Sequence, residues 1–72
     1  MSTVIRIKFA KKLRELRLKK KWTQEDLAEF SGLSYRHVQR LENIKNPPPA
    51  KIDTLEKLAK AFKIKLSKLL DF

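Results

Sequence analysis

The apolar residues of this chain recur at helical intervals along most of its length. From about Val4 to Lys20, Phe9, Leu13 and Leu16 fall at i, i+4 and i+7, which is one face of a helix. Thr23 can open a second helix by accepting an early backbone N–H, and Asp26 three residues on comes close to a capping box. Leu27, Ala28 and Ser31 give that helix a narrow inward stripe, and Gly32 can take the positive φ that ends it. Ser34 is a second N-cap, and the spacing predicts a third helix from Tyr35 to about Asn43, facing inward through Val38 and Leu41. Ile44 to Lys51 reads as a loop, because Pro47, Pro48 and Pro49 cannot continue a helix. Ile52, Leu55, Leu58, Ala59 and Phe62 then step at three and four in an amphipathic fourth helix. After Ile64, the residues Leu66, Leu69 and Leu70 mark a short fifth helix, with Phe72 behind it. The expected fold is all-α: five helices in a single domain over residues 1–72, with residues 1–3 frayed.

The polar side of the third helix carries the first functional signal. At 100° per residue, Tyr35, Arg36, Gln39, Arg40 and Asn43 fall opposite Val38 and Leu41, and no carboxylate stands among them. Arg, Gln and Asn have fixed forks that pair bidentately with guanine or adenine edges in a major groove. An ordinary solvated face would mix in Glu and Lys. A capped helix, a Gly turn and a second capped helix are also the pattern of a helix-turn-helix unit. Base readout is therefore assigned to Tyr35, Arg36, Gln39 and Arg40.

Composition sharpens that reading. The 72 residues carry 18 Lys+Arg against 8 Asp+Glu, a net charge of +10, so the chain should attract polyanions. Nine of the basic residues lie between Arg6 and Lys21 with one acid, Glu15, among them. Such a cluster repels itself unless an anion is near. The negative end of the first helix explains Lys19 to Lys21 but not Arg6 to Lys12. There is no Cys, and His37 is the sole histidine, so neither a disulfide nor a usual metal site is expected. His37 stands at the edge of the third helix, within reach of a phosphate. One Gly excludes a Gly-rich phosphate loop, and the helical phases bring together no nucleophile and base, which argues against an enzyme. No cofactor and no small-molecule ligand are expected. No apolar run approaches a membrane span, the N-terminus is too poor in apolar residues for a secretory signal, and a cytoplasmic location is expected.

The chain resembles the phage repressor/Cro-type helix-turn-helix family. The resemblance rests on Leu13-Arg14-Glu15-Leu16-Arg17, Thr23-Gln24-Glu25-Asp26-Leu27-Ala28, Gly32-Leu33-Ser34, Val38, Arg40-Leu41-Glu42-Asn43, Pro47 and Leu55 to Phe62. These run in order from about Phe9 to Leu70. The resemblance implies a transcriptional regulator whose partner is double-stranded DNA. It implies a structural ion pair between Arg17 and Glu42. It also implies that Gln24 touches a DNA phosphate while bracing the start of the recognition helix, and that Lys45 and Asn46 meet the sugar-phosphate backbone. With Thr23, Ser34, His37 and Asn43, these form the expected phosphate contacts. In the family the last helix often joins two subunits, which implies for Ile64, Leu66, Leu69, Leu70 and Phe72 the contact of a homodimer on a palindromic operator; the alternative is that this cluster seals the core of one subunit. Lys21, Ile44 and Lys63 stand where the family often has Gly, so the two lysines are expected to hold positive φ.

Trp22 precedes an N-cap and is expected in the core as a hydrophobic staple, with base stacking as the alternative. Phe30 lies about 110° off its helix's inward stripe, so it is either exposed or covered by Val4, Ile5 and Ile7. Two other functions bear on the same residues. A DNA-binding antitoxin or protein-interaction module would dock a partner on the Phe30 surface or the last helix, though the chain lacks a long wrapping tail. A cationic membrane-active helix over Arg6 to Lys21 would leave the second half without a role. The length leaves room for little beyond a DNA-binding domain.

Overall fold

The helices form close to where the apolar spacing puts them. The computed structural model describes residues 3–72: α1 (Thr3–Lys19), α2 (Gln24–Ser31), α3 (Tyr35–Leu41), α4 (Ile52–Phe62) and α5 (Leu66–Leu69). The expected fraying at residues 1–3 falls partly outside the described residues, and Thr3 is already helical. Helix α2 packs on both α3 and α4, and α5 packs on α4. One core collects Phe9 and Leu13 of α1, Leu27 and Ala28 of α2, Val38 and Leu41 of α3, Leu55, Leu58, Ala59 and Phe62 of α4, and Leu69 of α5. Every helix contributes to it. Short helices such as α3 are marginal alone in water, so burial in this shared core holds them.

The helix ends follow their local chemistry. The Thr23 hydroxyl accepts from the Asp26 N–H at 3.0 Å, and Asp26 Oδ2 accepts from the Thr23 N–H at 2.8 Å, so the capping box is complete. Ser34 Oγ accepts from the His37 N–H at 3.0 Å. Gly32 closes α2 at φ 76° and donates its N–H to the Ala28 carbonyl. Lys21 and Lys63 hold φ of 59° and 57°, as their positions predict. Each makes the paired bonds that seal a helix C-terminus: Lys21 to Leu18 and Trp22 to Arg17, then Lys63 to Lys60 and Ile64 to Ala59.

Three expectations are corrected. Helix α3 ends at Leu41, not at Asn43. Glu42 is turned into the interior, and the Asn43 side chain accepts from the Lys45 N–H at 3.0 Å, so it shapes the loop instead of extending the helix face. Ile52, expected in the inward stripe of α4, is 71% exposed, because it lines an open groove while Thr54 and Leu55 of the same turn are buried. Phe30 takes the first of its two alternatives: it is 55% exposed, the ring beside it is Trp22 with centroids 4.6 Å apart, and Val4 and Ile5 are themselves exposed. Leu69, expected at a subunit contact, is fully buried in this chain's own core, with Ile64 and Leu66 packed partly against it. Trp22 belongs to the core side, stacked on Phe62 at 5.4 Å.

Candidate nucleic-acid interface

The two faces of α3 are cleanly divided. Val38 and Leu41 are buried at 0% and 1% exposure. Tyr35, Arg36, Gln39 and Arg40 are all exposed, and α3 carries no acid. The expected base-reading residues therefore project together from one side. Their register is set by the Ser34 cap at one end and by the two apolar anchors behind.

Around α3 lie the expected phosphate contacts. Thr23 and Ser34 are exposed N-cap residues whose oxygens accept backbone N–H groups, which leaves each hydroxyl hydrogen free to donate outward. His37 is half-buried at the boundary. Asn43, Lys45 and Asn46 are exposed on the loop that leaves α3, where the Lys45 N–H donates to the Asn43 side chain. Ile44 is 49% exposed on the same turn.

Behind the reading face, a polar hub fixes α3 to the rest of the chain. Arg17 Nε donates to Glu42 Oε2 at 2.8 Å, and Arg17 Nη2 to Glu42 Oε1 at 3.0 Å, a bidentate pair. Arg17 Nη1 also donates to the Trp22 carbonyl at 2.8 Å. The two side chains are 10% and 2% exposed. The hydrogen bond to Glu42 raises the Arg17 pKa above its ordinary value; burial opposes this, and the nearby negative charge adds to it. Gln24 Nε2 donates to Glu42 Oε1 at 3.2 Å. Gln24 therefore braces the end of α3, not its start as the resemblance implied. A single-sequence reading had no signal for this: an amide 18 residues from its partner has no fixed spacing rule.

Away from α3, a groove of about 540 Å³ runs between α1, α4 and α5, lined by Ile5, Lys8, Phe9, Ala50, Ile52, Leu55, Leu70 and Phe72. Of the expected dimer residues, Leu70 and Phe72 line it and are exposed. Phe72 leans on Phe9, with ring centroids 6.4 Å apart. No group of three or more His, Cys, Asp or Glu that could hold a metal lies among the described residues. None of their helices is long and apolar enough to cross a membrane.

A capped helix turning through Gly32 into a second helix with an exposed basic and amide face defines a helix-turn-helix DNA-binding domain. Comparison with known proteins places it further. A helix-turn-helix family model matches residues 13–69, and the chain belongs to that family, the phage repressor/Cro type of DNA-binding transcriptional regulators, which are not enzymes. It is 45% identical over 58 residues to the HTH-type transcriptional repressor RghR of Bacillus subtilis (strain 168), a match covering 78% of this chain and 41% of that protein. It is 39% identical over 62 residues to the uncharacterized HTH-type transcriptional regulator RghRB of the same organism, covering 86% of this chain and 44% of that one. The chain thus spans about two fifths of the length of these curated relatives. Among solved structures, the restriction-modification controller protein C.AhdI from Aeromonas hydrophila superposes with a TM-score of 0.81 at 36% identity, over 89% of this chain and 94% of that one.

Proposed function

We propose that this chain is a sequence-specific reader of double-stranded DNA that controls transcription as a homodimer on a palindromic site. Helix α3 enters the major groove, and Tyr35, Arg36, Gln39 and Arg40 meet base edges. Thr23, Gln24, Ser34, His37, Asn43, Lys45 and Asn46 meet the flanking phosphates. The observation that carries this reading is the joint exposure of those four α3 side chains on a helix without a carboxylate. Leu70 and Phe72, exposed beside the apolar groove, supply the contact between subunits. Two copies double the length of sequence read, which one short helix cannot do alone.

Selecting bound duplexes from a random pool tests the reading. The expected product is an inverted repeat with half-sites about one helical turn apart. Arg36→Ala and Arg40→Ala should each remove about 1–3 kcal/mol of discrimination between the selected and a scrambled duplex. Equal weakening on both duplexes at matched salt would overturn the base-reading assignment.

A further inference from the structure

We propose that the groove between α1, α4 and α5 binds a fatty-acid anion: the acyl chain lies along its apolar walls, and the carboxylate meets Lys8, Lys11 and Lys12 at one end. None of the groove's lining residues belongs to α3, so the site is separate from the reading face. The inference rests on the homodimer reading above for its consequence alone. A ligand seated against Leu70 and Phe72 displaces a second copy from them.

The apolar walls come from Ile5 and Phe9 of α1, Ile52 and Leu55 of α4, and Leu70 and Phe72 at the end of the chain. Lys8 is the one ionisable side chain among the described residues that line it. The volume of about 540 Å³ falls within the range of small-molecule sites, about 300–1,000 Å³, whose walls are mostly apolar with a few polar groups. Phe9 and Leu55 are buried, whereas Ile52 and Phe72 stay exposed. Contiguous exposed apolar surface of this kind marks a binding site, which single scattered residues do not.

A second hollow of about 280 Å³ adjoins the first, because Lys8 and Phe72 line both. Its other walls are Lys11, Lys12 and Glu15. The Glu15 carboxylate lies 3.5 Å from Lys19 Nζ, so its charge is already engaged. The ion pairs among the described residues are Arg17–Glu42, Lys19–Glu15 and Lys60–Glu56, and none involves Lys8, Lys11 or Lys12. A cationic end joined to an apolar groove complements a molecule with an anionic head and an apolar tail. A second copy carries the same lysines and meets no opposite charge there. The site also gives a role to lysines near the start of α1 that the helix dipole leaves without one. The sequence showed no sign of it, because its walls come from three helices and the segments that flank them.

The probe is decanoate, held below its micelle-forming concentration and titrated into the unaltered chain by calorimetry. Each methylene buried strengthens binding about fourfold, so decanoate should bind about 15-fold more tightly than octanoate. The Ile52 and Leu70 methyl resonances should move during the titration, and those of Val38 and Leu41 should not. Ile52→Glu, at a solvent-exposed position, should abolish binding. Lys8→Met should weaken decanoate about two- to fivefold and leave decanol unaffected. Lys57→Met, exposed on α4 and outside both hollows, should change neither. No binding of decanoate, equal binding of decyltrimethylammonium, or full binding by Ile52→Glu would overturn the site and leave the DNA reading intact. Decanoate that binds and converts a self-associated sample to monomer supports both the site and its consequence. Decanoate that binds without altering self-association supports the site and removes the groove from the subunit contact.

Discussion

Arg17 and Glu42 illustrate what one buried pair does at the residue scale. Neither charge could stay buried without the other, and removing a partner strands the remaining one at about 3–5 kcal/mol. Arg17→Met should therefore cost about that much in urea-unfolding free energy. Pairing it with Glu42→Leu should recover most of the loss, because two apolar side chains of similar bulk strand no charge. A single variant as stable as the wild type would contradict this. The sign of the pH effect follows from the direction of the shift. The folded Arg17 pKa is raised, so loss of the Arg17 proton takes nothing from the pair below the unfolded guanidinium range. It is lost only as pH climbs through the still higher folded value. The pair itself was legible in the sequence through the family resemblance. The third member, Gln24, was not, because a flexible amide can end on a phosphate or on a carboxylate and the spacing does not choose.

At the scale of elements, local rules fixed most boundaries. Thr23, Gly32 and Ser34 each sit where cap chemistry predicts, and the lysines at 21 and 63 adopt the left-handed conformation their positions demand. That conformation costs a side-chain-bearing residue about 1–2 kcal/mol. Lys63→Gly should therefore raise stability by about 0.5–1 kcal/mol after glycine's own entropy is counted, seen as a higher melting temperature. Gly32→Ala should lower it by about 1 kcal/mol, purely through the backbone, since an added Cβ meets nothing within 4 Å. Where the sequence misled, the error lay at element ends. Periodicity put Ile52 inside, but that position opens onto the groove that Leu70 and Phe72 also line. It also extended α3 to Asn43, whose side chain instead bonds the Lys45 N–H beyond the helix. Periodicity registers a face; it does not register how far the neighbouring element reaches.

For the whole molecule, charge and apolar surface divide the labour. On the proposed reading, the net charge of +10 sets how strongly a polyanion is drawn in, whereas the exposed face of α3 sets which sequence is held. The groove bearing Leu70 and Phe72 concerns neither. Phe72→Glu together with Leu70→Glu should shift the sedimentation of the chain toward the monomer and leave its melting temperature within a few degrees. Unchanged sedimentation of a self-associated sample would exclude this groove as the subunit contact. Among these surfaces, the hub around Glu42 has the widest reach. Three successive helices converge on one carboxylate, from Arg17 of α1, Gln24 beside its cap on α2, and Glu42 at the close of α3. A probe bolted at its base cannot swivel to follow an imperfect target. On the proposed reading, the adjustment that a mismatched site requires then falls to bending or twisting of the double helix. Target choice becomes sensitive to the pliability of base steps that no side chain touches.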